Sequence, residues 1–322
     1  MGTKFIGRRI NVGIAKETTR GTPVNPVFWI PQTSISFDDK VEKVDEESAM
    51  GQIADTDSSV VTGKYAEGEI EGEIRDKALG LILTGVMGAS PTSTGVGPYT
   101  HTYTLADTSN QHRSLSILKQ NPNGASMFAL AMVDSFEISV EPLGIVTYTI
   151  GFTSKSSQDW TPQTPTFTSL GEKFLHQHLQ FRVADTIVGL AAASVLSLKA
   201  LTLTINKNPV RDNVMGTLQP EDIFNAQISV EGSLTLNYED RVWRNYMLDG
   251  TYKAMEIKFY KDANSSLTIR LPRVSFNSWE PASDLDDIIT QDIDFKAHYD
   301  AAAPEKIIHS VVLVNQQTGE EY

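Results

Sequence analysis

Carboxylates at alternate positions are the chemically most suggestive feature of this chain of 322 residues. In the stretch GEIEGEI, Glu69, Glu71 and Glu73 fall on every second position, with Ile70 and Ile74 on the positions between and after them. An extended strand sends alternate side chains to opposite faces, so the three acids share one face and the isoleucines the other. The pattern returns three times. Ser135, Glu137, Ser139 and Glu141 alternate with Phe136, Ile138 and Val140; Ser229 and Glu231 flank Val230; Asp292, Asp294 and Lys296 alternate with Ile293, Phe295 and Ala297. Such faces read equally as the solvent side of half-buried strands or as a surface that repels polyanions.

The remaining candidates for chemistry are weaker. His176 and His178 flank Gln177 and would share a strand face, but a metal needs more ligands than two imidazoles and no third is near. Asp55-Thr56-Asp57 and Asp284, Asp286 and Asp287 resemble pieces of calcium loops. Neither has the full ligand spacing, the glycine turn and the bidentate Glu, so both read as solvated turns. The sequon Asn264-Ser265-Ser266 has meaning only in a secreted chain. There is no phosphate-cradling glycine loop, nucleophile elbow or zincin helix. The expectation is no enzyme, no cofactor, and no catalytic, cofactor-binding or metal-binding residue.

Composition narrows the class further. Net charge is −13, from 27 basic and 40 acidic residues. Gripping nucleic acid takes Lys and Arg, so this chain is expected to lie beside DNA without holding it. Cysteine is absent, which removes disulfides and thiolate metal sites. The N-terminus has no charged-then-apolar leader pattern, so the chain is expected to start in the cytoplasm. The longest apolar run, residues 78–89, is too short to span a bilayer, and no membrane insertion is expected.

Two strand-into-helix units must position the acidic faces. One is GEIEGEIRDKALGLILTGVMG near residue 70, the other ISVEGSLTLNYEDRVWRNYMLDG near residue 230. Glu71-Gly72 recurs as Glu231-Gly232, 160 residues on; Ala78, Leu79, Ile82 and Leu83 recur as Val242, Trp243, Tyr246 and Met247, 164 on. The i, i+1, i+4, i+5 spacing predicts one apolar stripe per helix, buried on the preceding strand. Ala49-Met50-Gly51 recurs as Val214-Met215-Gly216 and Asp57 as Asp222, both at 165; Glu141-Pro142 recurs as Glu280-Pro281 at 139. An ordered series of matches reads as two copies of one domain, each large enough for a core of its own.

The expected organisation is copy one over 1–153, a Ser/Thr/Pro linker over 154–168, and copy two over 169–322 with a C-terminal tail after 301. Residues 1–30 read as an N-terminal arm. Residues 38–63 read as a long polar excursion with the character of a hairpin, counterpart to 207–224, and 89–113 as a projecting loop confined to copy one. Strands are predicted at 33–37, 115–119, 127–141, 145–152, 181–183, 195–205, 255–259, 267–276, 289–299 and 307–314. The predicted class is mainly β: two tandem sandwiches, each flanked by one helix.

The opening GIAKETTRGTPVNPVFWIPQTSISF, the two strand–helix units, SLTIRLPRVSFNSWEP and the closing IITQDIDFKAHYD together resemble a major tail tube protein of long-tailed, siphovirus-like bacteriophages. The resemblance implies a β-sandwich flanked by a helix, with strands of neighbouring domains joining into one barrel around a lumen. Members with a duplicated domain form trimeric rings of pseudo-sixfold symmetry that stack into a conduit for DNA ejection. It implies a virion protein made in the host cytoplasm. The implied partners are the protein itself, the tape measure, terminator and distal tail proteins, and passing DNA that it does not bind. The arm, the excursion, the 89–111 loop and the tail are the implied stacking contacts, and Glu69, Glu71, Glu73, Glu137, Glu231, Asp292 and Asp294 the implied lumen acids. Two alternatives stay open: a component that starts or caps the tube, and a two-domain carbohydrate-binding or adhesion module.

Overall fold

The computed structural model describes residues 4–49, 51–53, 55–167, 170–282, 287–301 and 306–322. Met50, Thr168, Asp284 and Asp286, and residues 302–305 of the tail, lie outside the described residues. In the first half the strands are β1 (Asn11–Lys16), β2 (Phe28–Ile30), β3 (Gln32–Ile35), β4 (Asp38–Asp45) and β5 (Ser59–Glu73). Helix α1 (Leu79–Met87) follows, then β6 (Thr92–Thr94), β7 (Tyr99–Tyr103), β8 (Leu115–Asn121), β9 (Gly124–Val140), β10 (Thr147–Lys155) and β11 (Gln158–Trp160). The second half contains β12 (Leu179–Ala184), β13 (Leu198–Asn206), β14 (Pro209–Asp212), β15 (Asp222–Asn225) and β16 (Ser229–Asn237). Helix α2 (Val242–Leu248) precedes β17 (Lys253–Asp262), β18 (Ser265–Phe276), β19 (Glu280–Ala282), β20 (Thr290–Ala297) and β21 (Ser310–Asn315). The protein is mainly β, as the alternation predicts.

Two long strands bend and so belong to two layers each. The first part of β9 pairs with β8 and β11, its last residues with β10 and β13. Likewise β18 pairs with β17 and β21 early and with β20 late. At the bend of β9, Leu130 takes a left-handed conformation (φ 57°) that costs a branched residue energy. The Glu17 carboxylate holds it there, accepting the Leu130 N–H at 2.8 Å and the hydroxyls of Ser114 and Ser116 at 2.5 and 3.1 Å. Glu17 is almost fully buried, and these donors satisfy its charge.

The bends generate a main sheet in the order β3/β4, β5, β10, end of β9, β13, β16, β20, end of β18. A second layer covers one face of it: β2–β1–β8–β9 over the first half, and β12–β17–β18–β21–β7–β6 over the second. Five antiparallel pairings of the first half, β1–β8, β8–β9, β9–β10, β10–β5 and β5–β3, have counterparts in the same order in the second. These are β12–β17, β17–β18, β18–β20, β20–β16 and β16–β13.

Several expectations need correction. The arm is shorter than expected, because β1 is a buried strand between β2 and β8. Part of the stretch read as a linker is ordered sheet: β10 runs to Lys155, and β11 pairs with β9. The 89–113 segment does not project. Its hairpin β6–β7 folds back, β7 pairs with β21 of the tail, and His101 is fully buried. The tail is equally tied in: Tyr322 is buried against Gly80 of α1 and donates to the Lys77 carbonyl at 2.6 Å. Every residue of α1 is therefore buried, not one stripe. The main hydrophobic core is one contiguous cluster through both halves rather than two separate cores. His176 and His178 lie in a single 3-10 turn, not on a strand. The excursion at 38–63 is a hairpin, with β4 exposed along its whole length.

Lys207, fully buried at the junction, donates to the Gly85 carbonyl at 2.6 Å, one of the carbonyls left without a helical partner at the end of α1. Burial first, and the Arg20 guanidinium second, lower its ammonium to about 7, while burial pushes His112 down to about 4. The unfolded chain then binds more protons than the native one between about 4 and 6.5 for His112 and between about 7 and 10.5 for Lys207. Stability rises with pH across each window. Lys207→Met is expected to abolish the upper rise, which is of the order of a few kcal/mol, in urea midpoints measured from pH 6 to 10.

Candidate functional site

The polar face of the main sheet collects the candidate acids from both halves. One row across six strands reads Glu73, Thr147, Ser139, Thr202, Ser233 and Asp294, each directly opposite the next. The next row reads Glu71, Thr149, Glu137, Thr204, Glu231 and Lys296. Glu69 stands opposite Gly151, Asn206 stands between Ser135 and Ser229, and Asp292 lies opposite Thr235. All seven sequence-predicted acids, from 69 to 294, thus share one face of one continuous sheet. The opposite face carries Ile70, Ile150, Phe136, Ile138, Leu203, Leu234 and Phe295, all buried in the core.

The joint between halves makes this possible. Six residue pairs link β9 to β13, from Leu201 opposite Val140 to Asn206 opposite Ser135. A side chain reinforces it: the Thr204 hydroxyl donates to Glu137 at 3.2 Å. Arg20 ties the two halves from below, donating to Asp222 at 2.5 Å and to the Ile223 carbonyl at 2.8 Å. The pair is partly buried, and a charge-assisted bond of this kind is stronger than a neutral one.

The acids differ in their surroundings. Glu69, Glu71, Asp292 and Asp294 are exposed. Asp292 accepts the Thr235 hydroxyl at 2.6 Å and Asp294 that of Ser278 at 2.7 Å. Glu73 sits at the sheet's end in ion pairs with Lys173 at 2.6 Å and Arg75 at 3.2 Å, so its charge is offset locally. Lys296 approaches Glu231 at 3.9 Å and is the one cation within the two rows. The face is therefore carboxylate and hydroxyl, with little to attract a phosphate. Among the described residues no group of three or more His, Asp or Glu is placed to hold a metal ion.

Two glycines mark the same place in each half. Gly72 lies opposite Tyr148, whose ring covers it at 2.8–3.0 Å from where a Cβ would be. Gly232 lies opposite Phe295, whose ring would come within 2.6 Å of a Cβ, and the Thr202 carbonyl within 2.1 Å. A large cross-strand ring laid over a glycine fixes register. Gly232→Val is expected to cost about 1–3 kcal/mol, read as a lower urea midpoint, because a backbone carbonyl must move.

A family model described as phage tail tube protein matches residues 7–297. The chain belongs to this family. No curated protein matches it. As a tail tube protein it is a structural component of the phage tail, and its β-rich architecture with a flanking helix in each half is the one the sequence resemblance implied. No helix among the described residues is long and apolar enough to cross a membrane.

What sequence reasoning missed in this tail tube protein is the scaffold around the face. Glu17, Arg20, Lys207 and Tyr322 act on partners that are for the most part some hundred or more residues away. No local spacing announces such pairs.

Proposed function

We propose that this tail tube protein is a tandem pair of like modules, and that three copies close into a ring lined by the acidic face. Four main-sheet strands from each half give eight per chain, and three chains give a barrel of twenty-four. Rings stack into a tube attached to the tape measure, terminator and distal tail proteins, and DNA leaves the virion through its lumen. The observation that carries the reading is the β9–β13 pairing, which runs one sheet through both halves and places every candidate acid on a single face.

The physics supports closure. A sheet with open edges exposes backbone donors and acceptors, and a closed barrel satisfies them all. A head-to-tail interface closes into a ring when its rotation divides the circle. DNA sliding past carboxylates and hydroxyls finds no cation array to hold it. The hairpin β4–β5, exposed and charged, is the candidate contact between rings.

Electron microscopy of the purified protein tests this. Hollow tubes or rings are expected on concentration; monomers persisting at high concentration would overturn it.

A further inference from the structure

We infer that the seam between copies, in the ring proposed above, repeats the register of the joint inside each chain and sets Ser34 of one copy directly opposite Ser275 of the next. The template is the β9–β13 joint. There Thr204 lies between Glu137 on β9 and Glu231 on β16. In the first half, Ser34 lies beside Glu71 on β5, as Thr204 lies beside Glu231, and Ile35 beside Ile70, as Ile205 lies beside Val230. Glu71 and Glu231 are themselves equivalent, each followed by a ring-covered glycine. Ser34 thus holds in β3 the position that Thr204 holds in β13.

The other border gives the complementary half. Thr149 on β10 lies between Glu71 and Glu137; Lys296 on β20 lies between Glu231 and Ser275. Ser275 therefore holds in β18 the position that Glu137 holds in β9. The strands to be joined are the two ends of the main sheet. Among the described residues β3 is paired on one side only, by β5. The end of β18 is paired with β20; Val274 is also met by Lys253 at the start of β17, so the open stretch begins at Ser275.

Backbone direction agrees. The Ser36 N–H bonds to the Glu69 carbonyl at 2.9 Å, so Ser36 and Ser34 face β5, and alternation turns the backbone groups of Ile35 outward. At the far border the His298 N–H bonds to the Arg273 carbonyl and the Asn277 N–H to the Asp294 carbonyl, at 2.7 and 2.8 Å. Arg273, Ser275 and Asn277 thus face β20, which turns the backbone groups of Phe276 outward. Joined in this register, the row that ends at Lys296 and Ser275 continues into Ser34 and Glu71 of the next copy without a break in polarity. Ser34 and Ser275 would be a non-hydrogen-bonded pair with side chains on the same face, the closest approach an antiparallel ladder offers.

That spacing suits a disulfide, and the chain has no cysteine to confuse the result. In Ser34→Cys/Ser275→Cys, each substitution changes one atom. Oxidation of assembled protein should give covalent dimers and trimers on a non-reducing gel, with the ladder stopping at trimer, while each single variant stays monomeric. The pair Ser34→Cys/Asn277→Cys, displaced along the same open edge, should cross-link several-fold less. Tubes that form under reducing conditions but give no cross-link with the Ser34/Ser275 pair would overturn the register and leave the tube reading standing. Wild-type protein that forms neither rings nor tubes would remove the tube reading as well.

Discussion

Glu71→Lys with Glu231→Lys should leave tubes intact and lower infectivity at least about tenfold. The two sites lie in the same row, separated by Thr149, Glu137 and Thr204. Neither acid holds the fold together. Glu71 is exposed, and Glu231 is bound by the Asn206 amide and by Lys296 only at 3.3 and 3.9 Å. Reversing them is expected to cost no more than the few tenths of a kcal/mol typical of surface charges, or about 1 kcal/mol where the ammonium introduced at position 231 faces Lys296. The effect on DNA is multiplied instead. Each ring of three copies would carry six new ammonium groups, and each phosphate contact adds to affinity in a salt-dependent way. DNA release should therefore slow most at low salt and recover partly at high salt. Normal infectivity and salt-independent release in the double variant would remove this face from the lumen.

The second large effect is on assembly. Ile35→Pro removes one outward N–H from the open edge of β3 and puts a ring in its place, while the bond from Ser36 to Glu69 on the inner side can remain. The monomer should fold with circular dichroism and thermal midpoint near those of wild type. Assembly should need at least about tenfold more protein, since each lost backbone bond contributes roughly 1 kcal/mol and the proposed seam would recur around every ring. Sedimentation against concentration reads this directly. Tubes forming at the wild-type concentration would place the contact between copies elsewhere.

The polar faces were legible in the sequence because a strand's period of two is local. Glu69, Glu71 and Glu73 alternate with the isoleucines whatever the strand pairs with, and the structure keeps them on one face. The strand–helix units were legible for the same reason. What could not be read was long-range pairing. The β7–β21 ladder joins His101 to Leu313, and residues 89–113 look like a loop because their burial comes from a strand more than two hundred residues away. The run of Gly, Pro and Thr at 18–26 hid β1, whose four central residues are buried under β2 and β8. The stripe of α1 misled in a related way. Tyr103 donates to the Gly80 carbonyl at 2.9 Å and Tyr322 stacks on the same glycine, so the side expected to face water is covered by the tail and by β7.

The most direct test is a cryo-electron microscopy reconstruction of the assembled tube. The predicted map has threefold rings in which the two halves alternate around the axis, twenty-four strands close one barrel, and the row from Glu71 through Glu137 and Glu231 to Lys296 points into the bore. A map with that row on the outer surface, or with β3 and the end of β18 unpaired between copies, would contradict it.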